Sequence, residues 1–211
     1  MKRRIAYLFG LAIAAFGAGA QAGAYDDFFR AVSVNDARTV NDLLARGFDP
    51  NSPDEKGQVG LFLALRGDSP QVVAALLANP AIRVEATNPT GETPLMMAAL
   101  RGQLEWSQRL IERGGHVNRD GWAPLHYAAS GPEPKLVALL LDRGALIDAP
   151  SPNHTTPLMM AARYGAEPAV ELLIARGADP KPRNDKGLNA SDFARLAGRE
   201  ALAERLQQLA R

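Results

Sequence analysis

Gly91-Glu92-Thr93-Pro94-Leu95-Met96-Met97-Ala98-Ala99 returns as Gly121-Trp122-Ala123-Pro124-Leu125-His126-Tyr127-Ala128-Ala129, and again as His154-Thr155-Thr156-Pro157-Leu158-Met159-Met160-Ala161-Ala162. Each copy is followed by a polar break and a leucine-rich run, and the runs end in Arg113-Gly114, Arg143-Gly144 and Arg176-Gly177. Self-similarity of this kind decides a fold before any single element does. The register extends both ways through the pairs Leu43/Leu44, Leu76/Leu77, Leu110/Ile111, Leu140/Leu141 and Leu173/Ile174, at intervals of 33, 34, 30 and 33 residues, and a further 33 reaches Leu206.

The local chemistry predicts a helical hairpin in each copy. Thr-Pro opens a helix, because the threonine hydroxyl can cap it and proline lacks only an N–H that would be unpaired there. Leu-x-x-Ala-Ala makes that helix short, with a small face that lets the next hairpin approach closely. A second helix follows, with Pro70, Pro134 and Pro168 near the starts of three of them and the leucine pair turned inward. Arg-Gly closes it: a cation meets the negative helix end, and glycine takes the left-handed cap. A polar turn such as Asn88-Pro89-Thr90-Gly91 leads onward.

These motifs resemble the ankyrin repeat, whose signature is T-P-L-H-x-A-A followed by V-x-x-L-L-x-x-G-A. The resemblance runs from about Tyr25 to Leu209 and implies an all-α solenoid of stacked helix-turn-helix hairpins with short β-turn fingers. It divides the chain into an N-terminal cap (25–51, helices near Asp26–Ser33 and Asp36–Arg46) and a degenerate repeat (52–86), in which Val59-Gly60-Leu61-Phe62 replaces T-P-L-H. Clear repeats follow at 87–118, 119–149 and 150–181, then a C-terminal cap at 182–211 whose last helix is charged, as an end facing water should be. Both ends read as covered, so the array is expected to be complete. The 30-residue interval predicts a shortened finger at Asn118-Arg119-Asp120-Gly121.

Ahead of the repeats, Lys2-Arg3-Arg4 precedes an apolar run from Ile5 to Phe16 and the small-residue sites Ala20-Gln21-Ala22 and Ala22-Gly23-Ala24. That order is the pattern of a secretory signal peptide over residues 1–24, cut after Ala22 or Ala24, and a Gram-negative source would place the product in the periplasm. An uncleaved anchor is the other reading, though the apolar run is short for a span of about 20 residues. No later segment is apolar enough to insert stably in a membrane.

The chain has 24 basic and 23 acidic side chains, and three of the bases sit in the leader. The remainder is slightly acidic and offers no electrostatic case for nucleic acid. Absence of cysteine excludes disulfides, thiolate metal sites and a Cys nucleophile. Only three histidines occur, none three or four residues from another, so no helical metal pair is visible. The resemblance gives His126 a structural role between neighbouring loops, with Met96 and Met159 in the equivalent places; His116 and His154 fall in finger regions. Copper-binding by Met96, Met97, Met159 and Met160 is weighed against core filling, which the helical context favours. Nothing resembles an active site, and no cofactor is expected.

Ankyrin stacks usually bind through the concave face, formed by finger tips and the outer part of each first helix. That template selects Lys56, Glu92 and Thr155 on fingers and Arg66, Arg101, Arg163 and Tyr164 at helix ends, with Leu100 and Ser130 among their neighbours. The arginines are expected to form an intermittent basic strip for an acidic protein segment; solvated helix ends are the alternative. Trp122 is the sharpest candidate, since an exposed tryptophan beside a short finger fits a binding hot spot; packing over that finger is the alternative. Trp106 reads as a core residue of its second helix. The function expected is a monomeric, non-catalytic interaction module for an unknown protein partner, serving as accessory to a periplasmic enzyme such as catalase. The alternatives are an immunity protein neutralising a toxin and, in another class, a small-ligand carrier or enzyme.

Overall fold

A computed structural model describes residues 18–211, with side-chain surroundings from residue 23 onward. Most of the signal-peptide pattern therefore lies outside the described residues. Among the described residues twelve helices form six antiparallel hairpins: α1 (Ala18–Ser33) with α2 (Ala37–Ala45), α3 (Gly60–Arg66) with α4 (Pro70–Ala78), α5 (Pro94–Leu100) with α6 (Leu104–Glu112), α7 (Pro124–Ser130) with α8 (Pro134–Asp142), α9 (Pro157–Tyr164) with α10 (Glu167–Ala175), and α11 (Ala190–Leu196) with α12 (Glu200–Leu209). Among the described residues the only strand-like pairing is an isolated antiparallel bridge between Pro53 and Val59, at the base of a finger. No helix among them is long and apolar enough to cross a membrane.

The hairpins stack with odd-numbered helices in one layer and even-numbered helices in the other. Small residues permit that stacking. Ala98, Ala99, Ala128, Ala129, Ala161 and Ala162 are all fully buried between successive first helices. In the second layer Leu76, Leu110, Leu140, Leu173 and Leu206 have no exposed surface, while Leu44, Ile111, Leu141 and Ile174 are half-buried. Only the first member of most pairs is thus a core residue; the second lies along the edge of the helix.

The caps follow the sequence chemistry. The Thr93 hydroxyl accepts the Met96 N–H at 3.3 Å and the Thr156 hydroxyl that of Met159 at 3.4 Å. Gly114, Gly144 and Gly177 sit at φ of +94°, +83° and +92°, the left-handed region expected after a helix. Helix α4 lacks such a glycine and ends at Asn79. Arg113, from the next hairpin, donates instead to the Leu77 and Asn79 carbonyls. Arg199 does the same for α9, bonding the carbonyls of Ala161, Ala162 and Gly165 at 3.0–3.2 Å.

One core position differs from its sequence reading. Trp106 is only partly buried, with the Arg109 guanidinium 4.9 Å from its ring centroid. The fully buried residue is its neighbour Ser107, which takes the place held by Val73, Val137 and Val170 in the other second helices. Ser107 stands three residues before the buried Leu110, as Val73, Val137 and Val170 stand before Leu76, Leu140 and Leu173, so α6 keeps the common register and Trp106 falls one residue off that slot.

Candidate protein-binding face

Four fingers close in the same way. Asp54, Asn88, Ser151 and Asn184 each donate a backbone N–H to the carbonyl four residues on and accept one from the residue three on. The finger after α6 makes neither bond among its backbone groups. Five residues separate Asn118 from Pro124, where eight separate the equivalent Asp148 from Pro157, so the turn-forming residue is missing. Asn118 still joins its unit to the next, donating to the Gly144 carbonyl at 2.7 Å and accepting from the Leu146 N–H at 2.8 Å.

The lost turn settles where Trp122 goes. In complete fingers the residue two before the helix-opening proline is held by the hairpin bonds, and Thr155 is in addition buried. It is 2% exposed, its N–H bonds the Ser151 hydroxyl, and its carbonyl meets His126 Nε2 at 3.0 Å. Thr155 is therefore part of the framework, and its proposed place on the binding surface is corrected. Trp122, freed from a hairpin, lies against α7 with its ring edge-on to His126 at 5.2 Å. It remains partly exposed, so it both packs at the short finger and presents a face outward.

That face lines an open cavity of about 500 Å³. Leu100 comes from α5; Trp122, His126, Tyr127 and Ser130 from the short finger and α7; Met160 and Tyr164 from α9. Leu100 is 37% and Tyr164 56% exposed, two of the few large apolar side chains left open to water. The lining is predominantly apolar, and His126, Tyr127 and Ser130 already use their polar groups within the chain. His126 is fully buried and accepts the Ala123 N–H through Nδ1 while Nε2 engages Thr155. Burial pushes its pKa down, so the ring stays neutral. At the equivalent places the Sδ atoms of Met96 and Met159 accept the N–H of Thr93 and Thr156 at 3.4 Å. The sulfur replaces the ring nitrogen within a finger, but it makes no bond to the next one.

Tyr127 donates its hydroxyl to Glu92 at 3.0 Å, and burial next to this carboxylate holds the phenol strongly protonated. Glu92 also receives the Asn88 amide and the Thr90 hydroxyl. Its carboxylate thus braces one finger against α7 and has little capacity left for a partner. Lys56, Arg66 and Arg101 are exposed, and Arg163 is partly buried with its guanidinium 5.1 Å from the Tyr164 ring centroid. None of these four cations is in an ion pair among the described residues. His116 and His154 stay on the surface beside Glu85 and Asp185. No group of three or more metal-ligating side chains occurs among the described residues.

The cavity thus collects Trp122, Tyr164, Leu100 and Ser130 from the sequence reading, with Arg101 and Arg163 next in the chain to Leu100 and Tyr164. It leaves out Lys56, Arg66, Glu92 and Thr155. Tyr127 and Met160 were missed; both directly precede an Ala-Ala pair, the place on the first helix that faces the groove.

Residues 28–120, 81–150 and 108–185 match the family model described as ankyrin repeats (3 copies). The chain belongs to the ankyrin-repeat family. Among curated relatives, human neurogenic locus notch homolog protein 4 is 39% identical over 126 residues, 58% of this chain and 6% of that protein. The mouse B-cell lymphoma 3 protein homolog is 31% identical over 149 residues, 67% of this chain and 33% of that protein. The ankyrin stack therefore spans a minor part of these relatives. A solved structure of the Bd0816 predatory endopeptidase from Bdellovibrio bacteriovorus in complex with immunity protein Bd3460 matches with a TM-score of 0.73 and 28% identity, covering 86% of this chain and 97% of that chain. The ankyrin stack is a protein-binding repeat module.

Proposed function

We propose that this chain is an immunity protein, which binds a peptidase made in the same cell and blocks it through the concave face. The observation that carries the reading is the match to a chain of similar length in a complex between an endopeptidase and an immunity protein. The Notch-like and lymphoma-protein relatives share only an ankyrin segment of far larger chains. The same match favours immunity over an accessory role for an enzyme such as catalase.

The physical form suits an inhibitor. A rigid stack needs little ordering on binding, so less of the contact energy is lost to entropy. The apolar hollow beside Trp122 supplies the buried aromatic centre on which tight interfaces depend. In a Gram-negative source the signal-like leader supports a meeting in the periplasm, where a peptidase on its way out would be dangerous to its producer.

The test is affinity capture from a periplasmic extract of the source organism on the immobilised chain, residues 25–211. Eluted proteins are identified and assayed for peptidase activity with and without added chain. The reading expects a peptidase that is retained by the parent and silenced at equimolar chain. Retention of catalase, or of a peptidase that stays fully active under saturation, would overturn it.

A further inference from the structure

The concave face carries a row of side chains with one gap. Seven residues beyond each N-cap, α3, α5, α7, α9 and α11 present Arg66, Leu100, Ser130, Arg163 and Leu196. Four are large and one is small. Ser130 turns its hydroxyl back onto the His126 carbonyl at 2.9 Å, so it neither fills the space above it nor offers a donor there. The cavity opens over this gap. It is walled by the rings of Trp122, Tyr127 and Tyr164 and by the Met160 thioether.

The geometry points to a keyhole for one aromatic side chain, carried on a loop of the partner with an acidic residue beside it. Rings meeting edge to face and a thioether against a ring edge are the contacts such walls offer best. The acidic neighbour follows from the rim. Arg101 and Arg163 each adjoin a wall residue and are in no ion pair among the described residues. The carboxylate bonded to a wall residue is held within the chain: Glu92 accepts from Tyr127, Thr90 and Asn88. Arg101 and Arg163 thus offer two uncommitted cations to a carboxylate on the partner.

This inference rests on the concave face being the one that binds protein, and its test is separate from peptidase capture. Blocked peptides Gly-Asp-Phe-Gly, Gly-Lys-Phe-Gly and Gly-Asp-Ala-Gly are titrated into the 25–211 chain while the Trp122 indole N–H resonance is followed, assigned against Trp122→Phe. The Asp-Phe peptide should shift that resonance saturably. The Lys-Phe peptide should bind about tenfold more weakly, near 1.4 kcal/mol, and the Asp-Ala peptide should not bind. Ser130→Leu fills the gap and should abolish binding, whereas Ser130→Ala should preserve it; the circular dichroism of each variant checks its fold.

An Asp-Phe peptide that fails to bind, or that binds a folded Ser130→Leu chain as well as the parent, would overturn the keyhole. Equal affinity for the Lys-Phe peptide would overturn its acidic specificity. If p-cresol alone bound as tightly as the peptide, the cavity would be a small-molecule pocket instead. Peptide binding without capture of a peptidase would leave the keyhole standing and remove the immunity reading; capture without peptide binding would do the reverse.

Discussion

Replacing Ser107 with valine should make this protein more stable, although it deletes a polar group and enlarges a core side chain. Ser107 has no exposed surface, and its hydroxyl has no hydrogen-bond partner. Burying such a group unpaired costs about 1–3 kcal/mol. Ser107→Ala removes that penalty, and alanine also favours a helix by a few tenths of a kcal/mol. Valine then adds two methyl groups, each worth about 0.8 kcal/mol when buried, less a small helix-propensity loss. Room for them is indicated by Val73, Val137 and Val170, which fill the equivalent slot with at most 1% exposure. The net expectation is a gain of about 2 kcal/mol for Ser107→Val, or roughly 4–8 °C in Tm for a chain of this size. Thermal unfolding followed by circular dichroism at 222 nm measures it. Parent, alanine and valine should melt in ascending order. If both variants melted at or below the parent, the hydroxyl would be bonded in solution and the reasoning would fail.

Other expectations use the same arithmetic. Leu140→Ala empties a fully buried position and should cost about 2–5 kcal/mol, read from urea unfolding; an unchanged midpoint would contradict the inward register of the leucines. Arg199→Met removes the donors that cap α9 and should cost about 1–3 kcal/mol, whereas a loss confined to a few tenths would mean water caps that helix equally well. His126 has a depressed folded pKa, so its contribution should be complete above the imidazole's ordinary value of about 6.5 and decline as pH falls below it. His126→Met should flatten the stability profile in that window, and identical profiles for the two proteins would refute the assignment. Trp122→Ala should weaken partner binding by about 2 kcal/mol, measured by calorimetry, while leaving the melting temperature within a few degrees.

The hairpins were legible because their signals are local. Thr-Pro, the alanine pair and Arg-Gly each act within one turn of helix, and their repetition supplied the register. Readings failed where an outcome depended on a neighbour in space. Thr155 and Trp122 occupy the same place before a helix-opening proline, yet one is buried and the other lines a cavity. The finger upstream of Trp122 is three residues shorter and lacks the hairpin bonds, while Thr155 is small enough to be enclosed; Glu92, in a complete finger, stays half-buried. Ser107 was overlooked because Trp106 looks more hydrophobic, although counting back three residues from Leu110 already selects the serine. The cavity is a gap in a row drawn from separate hairpins. It becomes visible only once Leu100, Ser130 and Arg163 are placed side by side.

The most direct test of the account is a titration of the captured peptidase's activity with this chain. An immunity protein acting through its concave face predicts complete loss of activity at a one-to-one ratio, with Ser130→Leu requiring a large molar excess. Activity that survives saturating chain, or inhibition equal in parent and a folded Ser130→Leu variant, would contradict it.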